Sequence, residues 1–236
     1  MPAPPKTGAI ELDCYYVLYG MIIRGGRQGV SYAMVDNSSS KRLPGRPQAF
    51  NPEEALDRAV EMFWARGYEG VDVDTIARSV NVTKPALYRA FGDKPTLLLK
   101  AVERYALSYG APMIQAFLAE PDIRKAVMKF CEATVNTATN DQRIGCLMAS
   151  AALGQSERVA EIRSYFAQGL AASAEIFAER FEKEMRARRL SRKIPAKVRG
   201  RALVDLMQGL LLRAKAGVPK KELSRDAQGY VSLVLD

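Results

Sequence analysis

Apolar residues recur at helical intervals, not in alternation, along nearly the whole chain from Asn51 onward. Leu56, Ala59, Val60 and Phe63 stand at i, i+3, i+4 and i+7, so they share one face of a helix. Asn51 is placed to cap that helix, Pro52 suits its first position and Glu54 completes a capping box; Gly67 supplies the stop. A second short helix is predicted over Val73–Val80, with Asp72 as N-cap and Ile76, Ala77 and Val80 facing inward. Asn81 follows in the tight turn, since Asn tolerates left-handed backbone better than most residues. Thr83 caps a third helix, Lys84–Ala90, with Pro85 in its first turn. Leu87 and Phe91 point to the core, Gly92 ends the helix, and Asp93 caps the next one at Lys94-Pro95.

Beyond Pro95 the pattern stays helical. A long helix carries Leu97, Leu98, Ala101, Val102 and Tyr105, and Gly110-Ala111-Pro112 is expected to break or kink it before Met113–Leu118. Further helices are predicted from Pro121-Asp122 to about Thr137, over Cys146–Leu153, over Glu157–Leu190, over Pro195–Ala216 with Gly217 as stop, and from Pro219 towards Leu233. Asn140-Asp141 marks a loop. No alternating strand pattern of useful length and no internal repeat is present. The expected fold is all-α: an N-terminal trihelical helix-turn-helix domain, residues 41–94, followed by a C-terminal helical domain, residues 95–236, to which the resemblance given below assigns ligand binding and dimerisation. Residues 1–40 read as a poorly ordered extension, Pro-rich at Met1–Pro5 and polar at Asp36–Ser40, or as sequence upstream of a start near Met34.

Composition adds two constraints. The chain of 236 residues is 48% apolar and 26% charged, an ordinary globular balance. It contains no histidine and three cysteines, Cys14, Cys131 and Cys146, none at C-x-x-C spacing. That argues against a disulfide framework, a zinc site and most acid–base catalysis, and it fits a reducing compartment. Cys131 and Cys146 are expected to be buried and structural, with oxidant sensing as the alternative. The apolar run Cys14–Ile23 is half the length of a membrane span, and acids precede it, so neither a span nor a signal peptide is expected. The expected location is cytoplasmic, with no membrane partner.

Net charge changes the picture more. At +9 it favours a polyanionic partner, with nucleic acid first. Yet Lys41–Lys100 carries ten basic residues against eight acidic ones. Much of the excess sits in a cluster from Lys183 to Arg201, read as a solvated helix end or, more sharply, as a second anionic contact.

The exposed side of the third helix holds the candidate chemistry. Lys84, Pro85, Ala86, Tyr88 and Arg89 all lie off the Leu87/Phe91 face. A recognition helix enters the major groove N-terminus first, which brings Thr83, Lys84, Pro85 and Ala86 towards base edges. Lys84 is suited to guanine O6/N7 and the Ala86 methyl to a thymine methyl. Arg89 is a base or phosphate candidate. Lys94 opens the next helix, where an ammonium and free N–H groups favour a phosphate. Arg42 and Arg46 form a basic arm suited to a minor groove or backbone, and Thr75 is a weaker candidate near the second helix start.

Several segments, in order, carry a resemblance. They are Gly45-Arg46-Pro47, Ala55-Leu56, Phe63-Trp64, Gly67-Tyr68-Glu69-Gly70, Ile76-Ala77 and the run Val82–Lys94. Together they resemble the DNA-binding domain of the TetR family of regulators over roughly Arg42–Leu99. Gly145-Cys146-Leu147 and Met207–Leu210 resemble its C-terminal domain more loosely. The resemblance implies an all-helical homodimer that represses a nearby gene until a small molecule binds the C-terminal domain. It also implies a phosphate contact for Tyr88. Asn81 departs from the glycine usual in that turn, and the extension before Lys41 is longer than typical.

Two half-sites need two recognition helices about 34–36 Å apart, which favours a dimer. Ile162, Phe166, Leu170, Ala174 and Phe177 form one apolar face, and Leu203, Leu206, Leu210 and Ala214 another, as an intermolecular four-helix bundle requires. Tyr105, Met113, Phe117, Phe130 and Met148 are candidate linings of an apolar effector cavity. No cofactor and no metal is expected. The competing classes are an all-helical enzyme, for which no nucleophile-elbow, P-loop, Rossmann or metal signature is present, and an interaction module that has lost DNA binding.

Overall fold

Asp72, Thr83, Asp93 and Asp122 each accept a hydrogen bond from a backbone N–H of the helix they precede, so four helix starts are set by side chains the sequence supplies locally. The computed structural model describes residues 50–140, 143–154 and 158–236. The helices in Pro52–Asp236, one compact unit, are α1 (Pro52–Arg66), α2 (Val73–Ser79), α3 (Lys84–Phe91), α4 (Lys94–Tyr105), α5 (Ala111–Ala119), α6 (Ile123–Ala138), α7 (Leu147–Ala152), α8 (Val159–Arg186), α9 (Ala196–Lys215) and α10 (Lys220–Leu235). The expected extension, residues 1–40, and the basic arm lie outside the described residues.

Among the described residues the fold is all-α apart from one short hairpin, in which Thr139–Asn140 pairs antiparallel with Arg143–Ile144. Helix α1 packs on α2 and α4, α3 packs on α2 and α4, and α8 packs along α9. The core of the larger helices is an aromatic cluster. Phe117 meets Phe177 edge-on at 4.9 Å, Phe130 meets Phe177 at 4.9 Å, and Phe181 adds a further ring 6.1 Å from Phe117.

Two boundaries differ from expectation. Of the break or kink expected at Gly110-Ala111-Pro112, the break does not occur. Ala106–Gly110 forms a π-type turn between α4 and α5, with the Ala111 N–H donating to the Ala106 carbonyl five residues back. Pro112 brings no N–H to the ladder, and its ring crowds the carbonyl four residues earlier. A widened turn absorbs both problems without a break.

Helix α8 ends at Arg186, not Leu190. Arg188 adopts left-handed backbone at φ 59°. The Arg188 N–H donates to Met185 O at 3.1 Å and the Arg189 N–H to Glu184 O at 2.9 Å, a Schellman stop made without glycine.

The helix-turn-helix is fastened to the rest through Trp64. Its indole N–H donates to the Gly145 carbonyl, 3.1 Å away, just before α7. The Trp64 ring also packs edge-on against Tyr105 at 4.7 Å and Tyr109 at 4.9 Å.

Candidate nucleic-acid interface

The turn between α2 and α3 is closed by backbone bonds. Asn81 sits at φ 55°, as its side chain permits. The Val82 N–H donates to Ala77 O at 3.0 Å and the Asn81 N–H to Arg78 O at 3.2 Å. Thr83 then caps α3, its hydroxyl accepting from the Ala86 N–H at 3.4 Å. Leu87 is fully buried and Phe91 is 6% exposed. These two anchors fix the rotation of α3, so Tyr88 and Arg89 face solvent and Lys84 lies half-exposed on the same side. Pro85 is exposed and Ala86 half-buried in the first turn.

Lys84 is not a free donor. Its Nζ lies 3.0 Å from Asp74 Oδ2, across the turn in the first turn of α2. That hydrogen bond raises the Lys84 pKa above its ordinary 10.5. The ammonium also stands 5.9 Å from the centre of the Tyr88 ring. Thr75 is half-buried, and its hydroxyl accepts from the Arg78 guanidinium at 3.3 Å.

Lys94 lies at the start of α4, with its Nζ 4.4 Å above the centre of the Tyr68 ring. Asp93 caps the same helix by accepting from the Thr96 N–H at 2.9 Å. The bonds from the Thr96 hydroxyl and N–H hold the Asp93 carboxyl below its ordinary 3.8. Thr83, Lys84, Tyr88 and Arg89 thus share α3 and its cap, while Thr75 and Lys94 flank it from α2 and α4. Arg42 and Arg46 lie outside the described residues. Sequence reasoning missed Asp74 and Tyr68 as partners of the two lysines. Tyr68 carried a signal in the Gly67–Gly70 motif; the Asp74–Lys84 pairing depends on the turn geometry and has none.

The candidate effector residues are carried by α4 (Tyr105), α5 (Met113 and Phe117), α6 (Phe130) and α7 (Met148). Phe117 and Phe130 belong to the buried aromatic cluster, their rings 6.2 Å apart. Tyr105 stacks on Tyr109 at 5.4 Å, and burial, with the neighbouring Cys146 thiol, pushes its hydroxyl pKa well up. Met113 and Met148 are half-buried, and Met113 Sδ lies 3.9 Å from the Thr137 hydroxyl. Three surface clefts are lined by residues of α6, α8, α9, α10 and the turns beside them, and none of the five residues lines these clefts. Among the described residues, no group of three acidic or cysteine side chains is placed to hold a metal.

A capped, well-anchored second helix that presents cationic and hydroxyl side chains outward defines the helix-turn-helix class of nucleic-acid-binding folds. Residues 55–101 match the family described as "Bacterial regulatory proteins, tetR family". The HTH-type transcriptional repressor ComR of Escherichia coli (strain K12) is 31% identical over 110 residues, 46% of this chain and 52% of that protein. The repressor BdcR of the same strain is 27% identical over 108 residues, 55% of its length. The chain thus spans about half the length of these curated relatives. Among solved structures, a cysteine mutant of the TetR family transcriptional regulator CifR, complexed with 26bp double-strand operator DNA, is 28% identical with a TM-score of 0.70. That similarity covers 80% of this chain and 98% of CifR. Residues 55–101 thus carry the TetR-family pattern, and over most of its length the chain is similar to a TetR family regulator.

Proposed function

We propose that this chain is a cytoplasmic, homodimeric DNA-binding regulator, a repressor released from its operator by a small molecule, and not an enzyme. One observation carries the reading. Helix α3 is anchored from behind by Leu87 and Phe91 while Lys84, Tyr88 and Arg89 face outward. In that orientation Thr83, Lys84, Pro85 and Ala86 approach base edges, and Tyr88, Arg89 and Lys94 approach phosphates. Arg42 and Arg46 extend the contact as a basic arm, and Thr75 adds a backbone contact from α2. The CifR structure is a complex with operator DNA, and ComR, BdcR and the IcaR regulators of staphylococci are named as repressors or negative regulators. No helix among the described residues is long and apolar enough to cross a membrane.

The division of labour follows residues 41–94 for DNA and 95–236 for sensing and dimerisation. Ile162, Phe177, Leu203, Leu210 and Ala214 of the expected faces are buried within the protomer, so the dimer face on α8 and α9 falls to Phe166, Leu170 and Ala174, half-buried, and to Val198 and Leu212, 50% and 69% exposed. An effector acts by binding more tightly to the protomer arrangement whose recognition helices miss the half-site spacing. Tyr105, Met113, Phe117, Phe130 and Met148 are the side chains offered for an apolar effector; it enters by parting rings that pack together in the structure described.

A mobility-shift titration with the duplex upstream of the protein's own gene tests the assignment. A retarded band that weakens steeply with salt is expected, and it is released by the inducing compound. Absence of any retarded band at low salt sinks the reading in favour of an interaction module.

A further inference from the structure

Lys183–Arg201 holds nine basic residues against one acid, Glu184, for a net +8, nearly the whole charge of the chain. It joins α8 to α9, away from α3. Arg163, near the start of α8, donates to the Ala152 carbonyl of α7, which packs on α1 and α4. From Arg163 to the end of α8 the helix runs about 35 Å at 1.5 Å per residue. The basic segment therefore stands at the opposite end of α8 from the helices that carry α3.

The connector is built, not loose. Glu184, 2% exposed, accepts from Arg180 Nε at 2.9 Å and Arg189 Nε at 2.6 Å. Arg199 is 1% exposed and donates to Ser191 O at 3.2 Å and Ile194 O at 3.3 Å, and also to Val234 O. A buried carboxylate holds one end of the loop and a buried guanidinium the other. Arg186 and Lys197 are paired with Glu182 and Glu175. Lys183, Arg188, Arg192, Lys193 and Arg201 are exposed and carry no ion pair among the described residues. The open cleft beside them, about 420 Å³ between Met185 and Arg192, is lined by no carboxylate.

We propose that this connector is a second polyanion-binding surface, one that takes duplex nucleic acid through its phosphates. Charge of one sign on a fixed frame suffices for phosphate contact. A membrane partner would need several protruding apolar side chains, but Leu190 and Ile194 are half-buried and Val198 stands as a single exposed one on α9. An acidic protein would need apolar anchors at the centre of its footprint, and the exposed side chains from Arg186 to Lys193 are mostly cationic. The surface does not depend on operator recognition, so the two readings fail separately.

The test uses the full chain with the helix-turn-helix face weakened by Lys84→Ala in α3 and Lys94→Ala in α4, and measures anisotropy of a labelled random-sequence duplex across a salt series. Residual binding with a negative salt slope is expected. Adding Arg188→Gln, Arg192→Gln and Lys193→Gln should weaken it about 100-fold near 0.15 M salt and flatten the log–log slope by about 2.7, as loss of three phosphate contacts requires. On the intact α3 background the same three substitutions should leave operator affinity and the melting temperature unchanged. Unchanged random-duplex binding overturns the proposal. So does a changed oligomeric state in sedimentation, which assigns the charges to a subunit contact. Tighter binding of poly-glutamate or phosphatidylserine vesicles than of the duplex also overturns it.

Discussion

Lys84 meets two demands that pull against each other. As the one long cationic donor in the first turn of α3 it is the side chain best suited to a guanine edge, yet Asp74 holds it at 3.0 Å. Both groups are partly exposed, so the pair itself adds little stability. Its effect falls on DNA binding, because Asp74 must be left behind or carried towards phosphate. Lys84→Ala should lower discrimination between the preferred base and its alternatives by about 10-fold, within the 1–3 kcal/mol of one good base contact. Asp74→Asn should raise overall affinity several-fold by removing a nearby negative charge. Competition binding with single-base operator variants reads both.

The cysteines make a second prediction at this scale. Burial pushes the Cys131 thiol up to about 12 and the Cys146 thiol above its ordinary 9.0, so neither is a thiolate near neutrality. Native protein treated with iodoacetamide near pH 8 should stay unlabelled at both and react at both once unfolded. Peptide mapping checks this, and fast native labelling of either would contradict it.

Among the elements, α8 and its end show where a sequence reads clearly and where it does not. Caps and stops that act within a few residues were legible: Asp72, Thr83 and Asp93 start helices where expected, and Gly67 and Gly217 follow the helices they close. The end of α8 was not. Arg188 adopts the left-handed stop because Glu184, five residues from Arg189, bonds both Arg180 and Arg189 at a place only the tertiary fold defines. Glu184→Gln should cost about 3 kcal/mol in urea denaturation, since it strips the charge from a buried pair. Arg189 and Arg180 hold the Glu184 carboxyl below its ordinary 4.5, so its contribution is complete above that pH and fades as pH falls through the depressed folded value. Wild type should therefore lose more stability than Glu184→Gln below about pH 4.5, with the difference between them constant above it.

Gly200 sets how closely α8 and α9 approach. A Cβ there would lie 2.3 Å from the Ala174 carbonyl oxygen and 2.9 Å from the Ala178 nitrogen, both backbone atoms that cannot swing aside. Gly200→Ala should destabilise by about 1–3 kcal/mol as the helices part, measured by the same denaturation. The periodicity showed the two helices; the contact of one glycine with the opposite backbone left no trace in it.

For the molecule as a whole, the all-α architecture and the trihelical start were legible because short caps and 3.6-residue spacing are local signals. The surroundings of the five candidate effector residues are not a local signal, because apolar spacing marks burial without saying which rings meet. Phe117 and Phe130 meet Phe177, and Tyr105 meets Trp64. Dimerisation also belongs to this scale. Leu212, 69% exposed on α9, should seat in the partner subunit. Leu212→Arg should shift light scattering from dimer to monomer and weaken operator binding at least 100-fold; a variant that stays dimeric would move the interface elsewhere.

Selection of duplexes from a random pool by the full chain tests the regulator assignment most directly. The account predicts enrichment of a two-fold symmetric site with half-sites about 34–36 Å apart, and loss of that enrichment when Lys84 and Tyr88 are both replaced by Ala. A pool that stays random after repeated rounds, or one that converges on the same site with the double variant, would contradict it.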